Sequence, residues 1–499
     1  MSKRTRLLVA SLLSFTSGLS LAACAAGDAD TGGTAGTGAG VGKAGSATAM
    51  AGTGGTGGTP SSTGGTPGST GGTPVGAGGT PVGTGGTPVG TGGTPVGTGG
   101  ATAGTGGAVT TGGTSGGGGT GSTKCTLPNL PEASALKANP KLPDPFTFFD
   151  GTKVTKKEQW ECRRQEILAM AAKYIYGPVP GKPDSVTGTV SGGTVTINVK
   201  VGTKSDTFMA SIAGSGTAIA LELSGGIFPS SHKKLSFATG FENKIKTLFG
   251  LSELNPNIAN GWMIDRVMDV LELNPTSGHD PTKVMVSGCS GCGKGAYLAG
   301  VFSRAPLVVV VESGGGGAAN LRQAEWFRHG AGKSTWMCAD DLPQSIDNLE
   351  SNGICGPWIT KAADWLVQAP AKVNNLPFDT HLLLATIAPR YLLHFSNNNG
   401  KNSWCHLGGT CEALSAWAAK PVWKALGIPE RMGFHMYSAG HCSTPAEATT
   451  LAGEFFKRAI DGNMTAKTDV MEIMDNGVQQ PVADWKAMWV DWDMDTVLQ

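Results

Sequence analysis

Apolar and polar positions follow three successive rhythms along the 499-residue chain. A basic start, MSKRTR, gives way to an apolar run and then to small residues through Leu21-Ala22-Ala23-Cys24. A run this short and this early predicts a secretory signal over residues 1–24 rather than a spanning helix. Residues 25–124 have no periodicity: they are almost entirely Gly, Thr, Ala, Ser, Val and Pro, with TGGTPVG repeated in tandem. Such a segment has little apolar surface to bury and almost no charge, so a disordered tether is expected. About 100 residues of Gly-rich coil span roughly 55 Å root-mean-square.

From Cys125 to residue 499 the pattern is that of a folded domain. TVTINVKV (194–201) alternates as a strand, and AIALEL (218–223), KVMVS (283–287) and LVVVV (307–311) are short apolar β runs. The last is fully apolar, as strands buried on both faces of a parallel sheet are. WMIDRVMDVLEL (262–273) places apolar residues at helical spacing, and 294–302 reads as a small-residue helix. YLLHF (391–395) and FHMY (434–437) predict two more strands, and 447–460 a closing helix. Strands alternating with helices predict an α/β fold with a mostly parallel sheet between helical layers.

The formal net charge is +1 with no basic run in the folded part, which excludes nucleic acid as a partner. Beyond the signal no apolar stretch is long enough to span a bilayer. The eight histidines show no H-E-x-x-H spacing, so neither a metal nor another cofactor is expected. Ten cysteines in a chain with an export signal point to an oxidising compartment. Cys24 itself has two readings: the lipidated residue of a bacterial lipobox, which would hold the protein at a membrane, or part of an ordinary A-x-A cleavage site that frees it.

Candidate chemistry concentrates in SGCSGCGKGA, residues 287–296. Gly288, four residues and Gly293-Lys294 approach a phosphate loop, but that loop needs a hydroxyl after its lysine and position 295 is Gly. The alternative is a nucleophile elbow at Ser290. It follows a predicted strand and precedes a predicted helix, flanked by Gly288 and Gly291 that permit a tight turn. A serine needs a base and the base an orienting carboxylate. Glu312 directly follows LVVVV and His441 follows FHMY, in the chain order Ser, acid, His. Asn397 to Asn399, after YLLHF, stand at another strand end but offer no carboxylate. A disulfide between Cys289 and Cys442 would hold their α-carbons about 5.5 Å apart and bring Ser290 near His441.

These residues resemble the glucuronoyl esterases, carbohydrate esterase family fifteen, over about 125 to 465. WECRRQE (160–166), WMIDRVMDVLEL, KVMVSGCS with Gly293-Lys294-Gly295-Ala296, and VESGGGG (311–317) are similar to the family's motifs. Leu376–Asp379 with His381, Ala388-Pro389-Arg390, Trp404 and Gly440-His441-Cys442 follow in the family's order. The resemblance implies an α/β-hydrolase fold, a three-layer sandwich. It implies cleavage of the ester between 4-O-methyl-glucuronoyl groups of glucuronoxylan and lignin alcohols; apart from the resemblance, a monomer is expected. Ser290 is then nucleophile, His441 base and Glu312 acid. Lys294, Trp404, Gln344 and Glu350 are the matching sugar contacts, and Cys289–Cys442 and Cys125–Cys162 the matching disulfides.

One position departs from the family. An arginine usually follows the nucleophile and helps stabilise the oxyanion; here Gly291 offers only its backbone N–H. Losing an oxyanion donor costs about 10² to 10³ in rate. Two rival readings stand beside the esterase: a general carboxylesterase such as an acetyl xylan or feruloyl esterase, and a surface carbohydrate-binding protein without hydrolysis. Among the remaining cysteines, local pairing of Cys405 with Cys411 and of Cys338 with Cys355 is expected, leaving Cys292 as a free thiol filling space against the sheet.

Overall fold

The structure, a computed structural model, describes residues 125–335, 342–346, 349, 355–398, 405–474, 478 and 480–499. Cys24 and the 25–124 segment, Cys338, Glu350 and Trp404 lie outside the described residues.

The strands are β1 (Ser185–Ser191), β2 (Thr194–Val201), β3 (Lys204–Gly214), β4 (Ala218–Glu222), β5 (His232–Phe237), β6 (Val284–Cys289), β7 (Leu307–Val311), β8 (Tyr391–Asn397), β9 (Met432–Tyr437) and β10 (Met471–Glu472). They form one sheet in the order β1-β2-β3-β5-β4-β6-β7-β8-β9-β10. Pairing is antiparallel from β1 to β5 and parallel from β5 across to β10. The central strands β6 and β7 are buried at every position, which is why they read as continuous apolar runs.

The α-helices among the described residues are α1 (Gln159–Ala171), α2 (Phe241–Phe249), α3 (Pro256–Leu273), α4 (Gly291–Val301), α5 (Leu321–His329), α6 (Asp364–Val367), α7 (Thr380–Ala385), α8 (Gly409–Ala425), α9 (Ala446–Ala459) and α10 (Val482–Trp489). Val308 and Val310 of β7 pack on one side with residues of α3, α4, α7 and α8. Leu307, Val309 and Val311 pack on the other with Ala448, Ala452 and Phe455 of α9. This is the three-layer α/β-hydrolase arrangement. Helix α3 starts six residues before the predicted 262 because Asn255 caps it, accepting from Asn257 N at 2.9 Å, with Pro256 in the first turn.

Parallel pairing aligns the carboxyl ends of four strands. Cys289 sits opposite Val311, Val311 opposite Phe395, and Asn397 opposite Tyr437. Residues that follow these ends are gathered along one edge of the sheet, where sites of open α/β sheets form. Helix α4 must lie close to β7 for this, and Gly300 allows it: a Cβ there would stand 2.4 Å from Val308 Cγ1. Gly300→Val is therefore expected to overpack a fully buried contact by about 1–3 kcal/mol and to lower the unfolding midpoint. A midpoint equal to wild type would mean that α4 is free to shift.

Candidate active site

Ser290 links β6 to α4 in a backbone conformation that few non-glycine residues adopt, φ 59° and ψ −127°. Its N–H donates to Val311 O at 3.0 Å, and its carbonyl accepts from Lys294 N at 3.0 Å. The small neighbours are needed to reach this turn. A Cβ on Gly288 would meet Cys292 O at 2.3 Å, and one on Gly293 would meet Val311 O at 2.5 Å. The first N–H groups of α4, beginning at Gly291, have no partner within the helix and carry its positive pole. Among the described residues four non-glycines have positive φ: Ser290, Glu312, Cys355 and Cys442. Two of them are joined to this elbow by disulfides and the third is the carboxylate beside it.

Glu312 is almost wholly buried at the end of β7. Its Oε2 accepts from His441 Nδ1 at 2.7 Å and from Cys442 N at 3.1 Å. Its Oε1 accepts from Tyr437 Oη at 2.7 Å and from Asn397 Nδ2 at 3.3 Å. Burial and the facing carboxylate push the Tyr437 hydroxyl far above its ordinary range, so it remains a donor. A carboxylate partner fixes the proton on Nδ1 of His441 and leaves Nε2 as the basic nitrogen. Cys289 and Cys442 are disulfide-bonded with α-carbons 5.8 Å apart. That bridge sets Ser290 and His441 one residue beyond its two ends. Sulfurs of both cysteines, a carboxylate oxygen of Glu312 and a ring nitrogen of His441 lie within 4.8 Å of one another. The two sulfurs are bonded to each other, so this cluster offers no thiolate to a metal ion.

Beside the elbow, Lys294 is buried, with Nζ donating to Ser313 O at 2.7 Å and to Gln344 Oε1 at 2.9 Å. The ammonium stands 4.7 Å from the Trp358 ring centre, and Trp358 Nε1 donates to Gly291 O at 3.2 Å. Burial pulls the Lys294 amine down to about 8, opposed by Glu412. Lys294 and Gln344 are thus brought together, while Trp404 and Glu350 lie outside the described residues. Cys125 is bonded to Cys162 on α1.

The expected cysteine scheme is otherwise corrected. Cys292 is not free but bonded to Cys355, with α-carbons 5.0 Å apart. The chain at 355–358 crosses the elbow helix, held by Asn257 Nδ2 to Cys355 O at 2.9 Å, so Cys355 meets Cys292 rather than Cys338. Cys411 is a buried free thiol, not paired with Cys405. It packs in α8 with Ala319, Ala324 and Phe327, and burial pushes its thiol well up. Sequence reasoning also missed Tyr437 and Asn397 as donors to Glu312, Trp358 beside Lys294, and Glu412. The end positions of YLLHFSN and FHMY at adjacent strand ends were the available signal for the first two.

The family model that matches residues 187–427 is described as fungal glucuronyl esterase. The chain is 33% identical over 383 residues to a 4-O-methyl-glucuronoyl methylesterase of Schizophyllum commune, covering 72% of this chain and 92% of that protein. Its structure is similar to the glucuronoyl esterase catalytic domain of Hypocrea jecorina, with TM-score 0.60 and 29% identity over 74% of this chain and all of that one, 100%. It is also similar to a serine-to-alanine glucuronoyl esterase from Sporotrichum thermophile in complex with methyl 4-O-methyl-β-D-glucopyranuronate, with TM-score 0.59, 29% identity, and coverage of 74% and 99%.

The hydrogen bonds around Glu312 yield a test that needs no substrate. Tyr437→Phe removes one donor to a buried carboxylate, a bond of about 1.5–3 kcal/mol. Phosphonylation of Ser290 by a fluorophosphonate probe is expected to slow by about tenfold or more. A rate equal to wild type would remove Tyr437 from the groups that orient the acid.

Proposed function

Because the chain belongs to the glucuronoyl esterase family, we propose that it hydrolyses the ester between a 4-O-methyl-glucuronoyl group and an alcohol through an acyl-enzyme on Ser290. The observation that carries this reading is the buried Glu312 on His441 Nδ1 at 2.7 Å, in a loop bridged to the residue before Ser290. Ser290 Oγ attacks the uronoyl carbonyl carbon as its proton passes to His441 Nε2. The tetrahedral intermediate collapses, the C–O bond to the alcohol breaks, and the imidazolium returns the proton to the leaving oxygen. Water then repeats both transfers and frees the uronate. Glu312, bonded to Nδ1, orients the ring and stabilises the imidazolium. With Gly291 in place of arginine, the oxyanion is received by backbone N–H groups at the start of α4. Lys294, Gln344 and Trp358 form the sugar side of the site, and the alcohols of lignin on glucuronoxylan are the matching natural leaving groups.

Hydrolysis of benzyl glucuronate by the full chain, beside Ser290→Ala, tests the reading. Wild type is expected to turn over and Ser290→Ala to lose about 10³-fold or more. Activity on acetyl or feruloyl esters with none on benzyl glucuronate would favour the general carboxylesterase. Saccharide binding without any hydrolysis would favour the binding protein.

The disulfides Cys125–Cys162, Cys289–Cys442 and Cys292–Cys355 support maturation in an oxidising compartment. The Leu21-Ala22-Ala23-Cys24 segment supports a lipid on Cys24, with 25–124 as tether. Labelled fatty acid is expected to enter the wild-type chain and not Cys24→Ser. Unlabelled wild type with an N-terminus after Ala25 would establish simple secretion instead.

A further inference from the structure

A second buried carboxylate lies behind the sugar side of the site, and the acyl-transfer steps do not use it. Glu412, in the first turn of α8, is almost wholly buried. Its Oε1 accepts from Ser313 N at 2.8 Å, Ser313 Oγ at 2.7 Å, Gly314 N at 3.0 Å and His394 Nε2 at 3.3 Å. Its Oε2 accepts from Ser396 Oγ at 2.7 Å. Burial pushes the pKa of Glu412 up, but five donors on the carboxylate hold its ionised form and bring that pKa below the ordinary carboxylate range.

What Glu412 grips is the turn that begins directly after Glu312. The same Ser313 whose N–H and hydroxyl reach Glu412 presents its carbonyl to Lys294 Nζ. Gly314 and Gly316 take positive φ, 65° and 78°, and a Cβ on Gly316 would stand 3.5 Å from Lys294 Cε. The lysine stem therefore lies along a turn shaped by its hydrogen bonds to Glu412. We propose that Glu412 is a positioning residue for Lys294: through the Ser313 peptide it holds the lysine in place and keeps it an ammonium. Its bearing on substrate rests on reading Lys294 as a sugar contact.

The count of N–H groups gives this a consequence. An ammonium has three donors and no acceptor. Two are engaged by Ser313 O and Gln344 Oε1, and the third has no oxygen partner among the described residues. Loss of one proton leaves an amine with two N–H groups, both already engaged, so the donor left for a sugar oxygen disappears. Lys294 titrates near 8. Below that pH the third donor is present, and above it the donor is lost, so KM should rise as pH passes through about 8. Removing the charge of Glu412 takes away the attraction that holds the proton and moves that rise to lower pH. The other titratable groups around this pair are His394 on β8, bonded to Glu412, Tyr437 on β9, Cys411 on α8, and Glu312, bonded to Tyr437.

Glu412→Gln in the full chain is the test. The amide oxygen can retain the four donors on Oε1, and its NH2 meets the Ser396 hydroxyl, which can turn to accept. NMR titration of 13Cε-labelled lysines, with the Lys294 signal assigned by Lys294→Arg, reads the coupling directly. The expected result is a Lys294 midpoint lower by about half a pH unit or more. KM for benzyl glucuronate should begin its rise at correspondingly lower pH, while kcat stays within about threefold. An unmoved Lys294 titration in folded Glu412→Gln overturns the proposal. A moved titration with an unchanged KM profile keeps the coupling and defeats only the reading of Lys294 as a sugar contact. Should Glu412→Gln fail to fold, Glu412→Asp keeps the charge but withdraws it from Ser313. A smaller downward move of Lys294 then supports the proposal, and none overturns it.

Discussion

A carboxylate removed from water must have its oxygens hydrogen-bonded, and the site is organised by that requirement at Glu312. Four donors reach it from three parts of the chain: the end of β8, the end of β9, and the loop at His441-Cys442. None can be displaced without leaving part of a buried charge unpaired. The loop after β9 is thus drawn in over the end of β7, and its positive-φ turn at Cys442 is held by Cys442 N on the carboxylate as well as by the disulfide. On the opposite side, the strained elbow at Ser290 is held by its N–H on Val311 O. Ser290 and His441 are presented by two strained turns, each tied to the end of the same strand, β7.

Two buried carboxylates flank the turn that follows β7, and their surroundings divide their tasks. Glu312 meets a titratable imidazole on one oxygen, which suits it to a site where a proton moves. Glu412 meets mostly fixed donors, two backbone N–H groups and two serine hydroxyls, besides His394, which suits it to holding shape. The glycines 314–317 between them are demanded by space as well as by φ. A Cβ on Gly315 would meet Gln344 O at 2.3 Å, and one on Gly317 would meet Ser313 Oγ at 2.6 Å.

The central parallel strands β4, β6, β7, β8 and β9 were legible because they are largely buried and read as apolar runs, LVVVV matching β7 residue for residue, whereas the partly exposed β5 and two-residue β10 were not. The antiparallel edge was legible only at TVTINVKV. SVTGTVS of β1 is nowhere fully buried, and short hydroxyl side chains at such positions leave little periodic contrast. Ser290, Glu312 and His441 could be singled out together because chain order and strand ends constrain them. Gln344 and Lys294 were named separately, and only folding brought them into contact. Cys125–Cys162 and Cys289–Cys442 are paired as expected, but Cys292, Cys355 and Cys411 were misread because nearness in sequence was taken for nearness in space. Cys292 and Cys355 are 63 residues apart yet bonded, and that pairing depends on where segment 355–358 crosses α4. Glu412 offered no signal, since a lone glutamate at a helix start is an ordinary solvated residue until tertiary contacts enclose it.

The pairing of β8 with β9 brings Asn397 level with Tyr437, and both reach Glu312. Side chains on a strand alternate faces, so a shift of one position would turn Tyr437 away and offer Met436 in its place. Met436 now packs in the core on the opposite face of the sheet from Tyr437. A single inserted or deleted residue in β9 could leave the strand's apolar character almost intact and still strip the acid of its phenol. Sequence drift in this protein therefore has different latitude in two adjoining places. Asn397 meets the loop between Tyr437 and His441 through the backbone of Ala439 and Gly440, whatever side chains these carry, whereas the six residues before it are fixed in number as well as in kind.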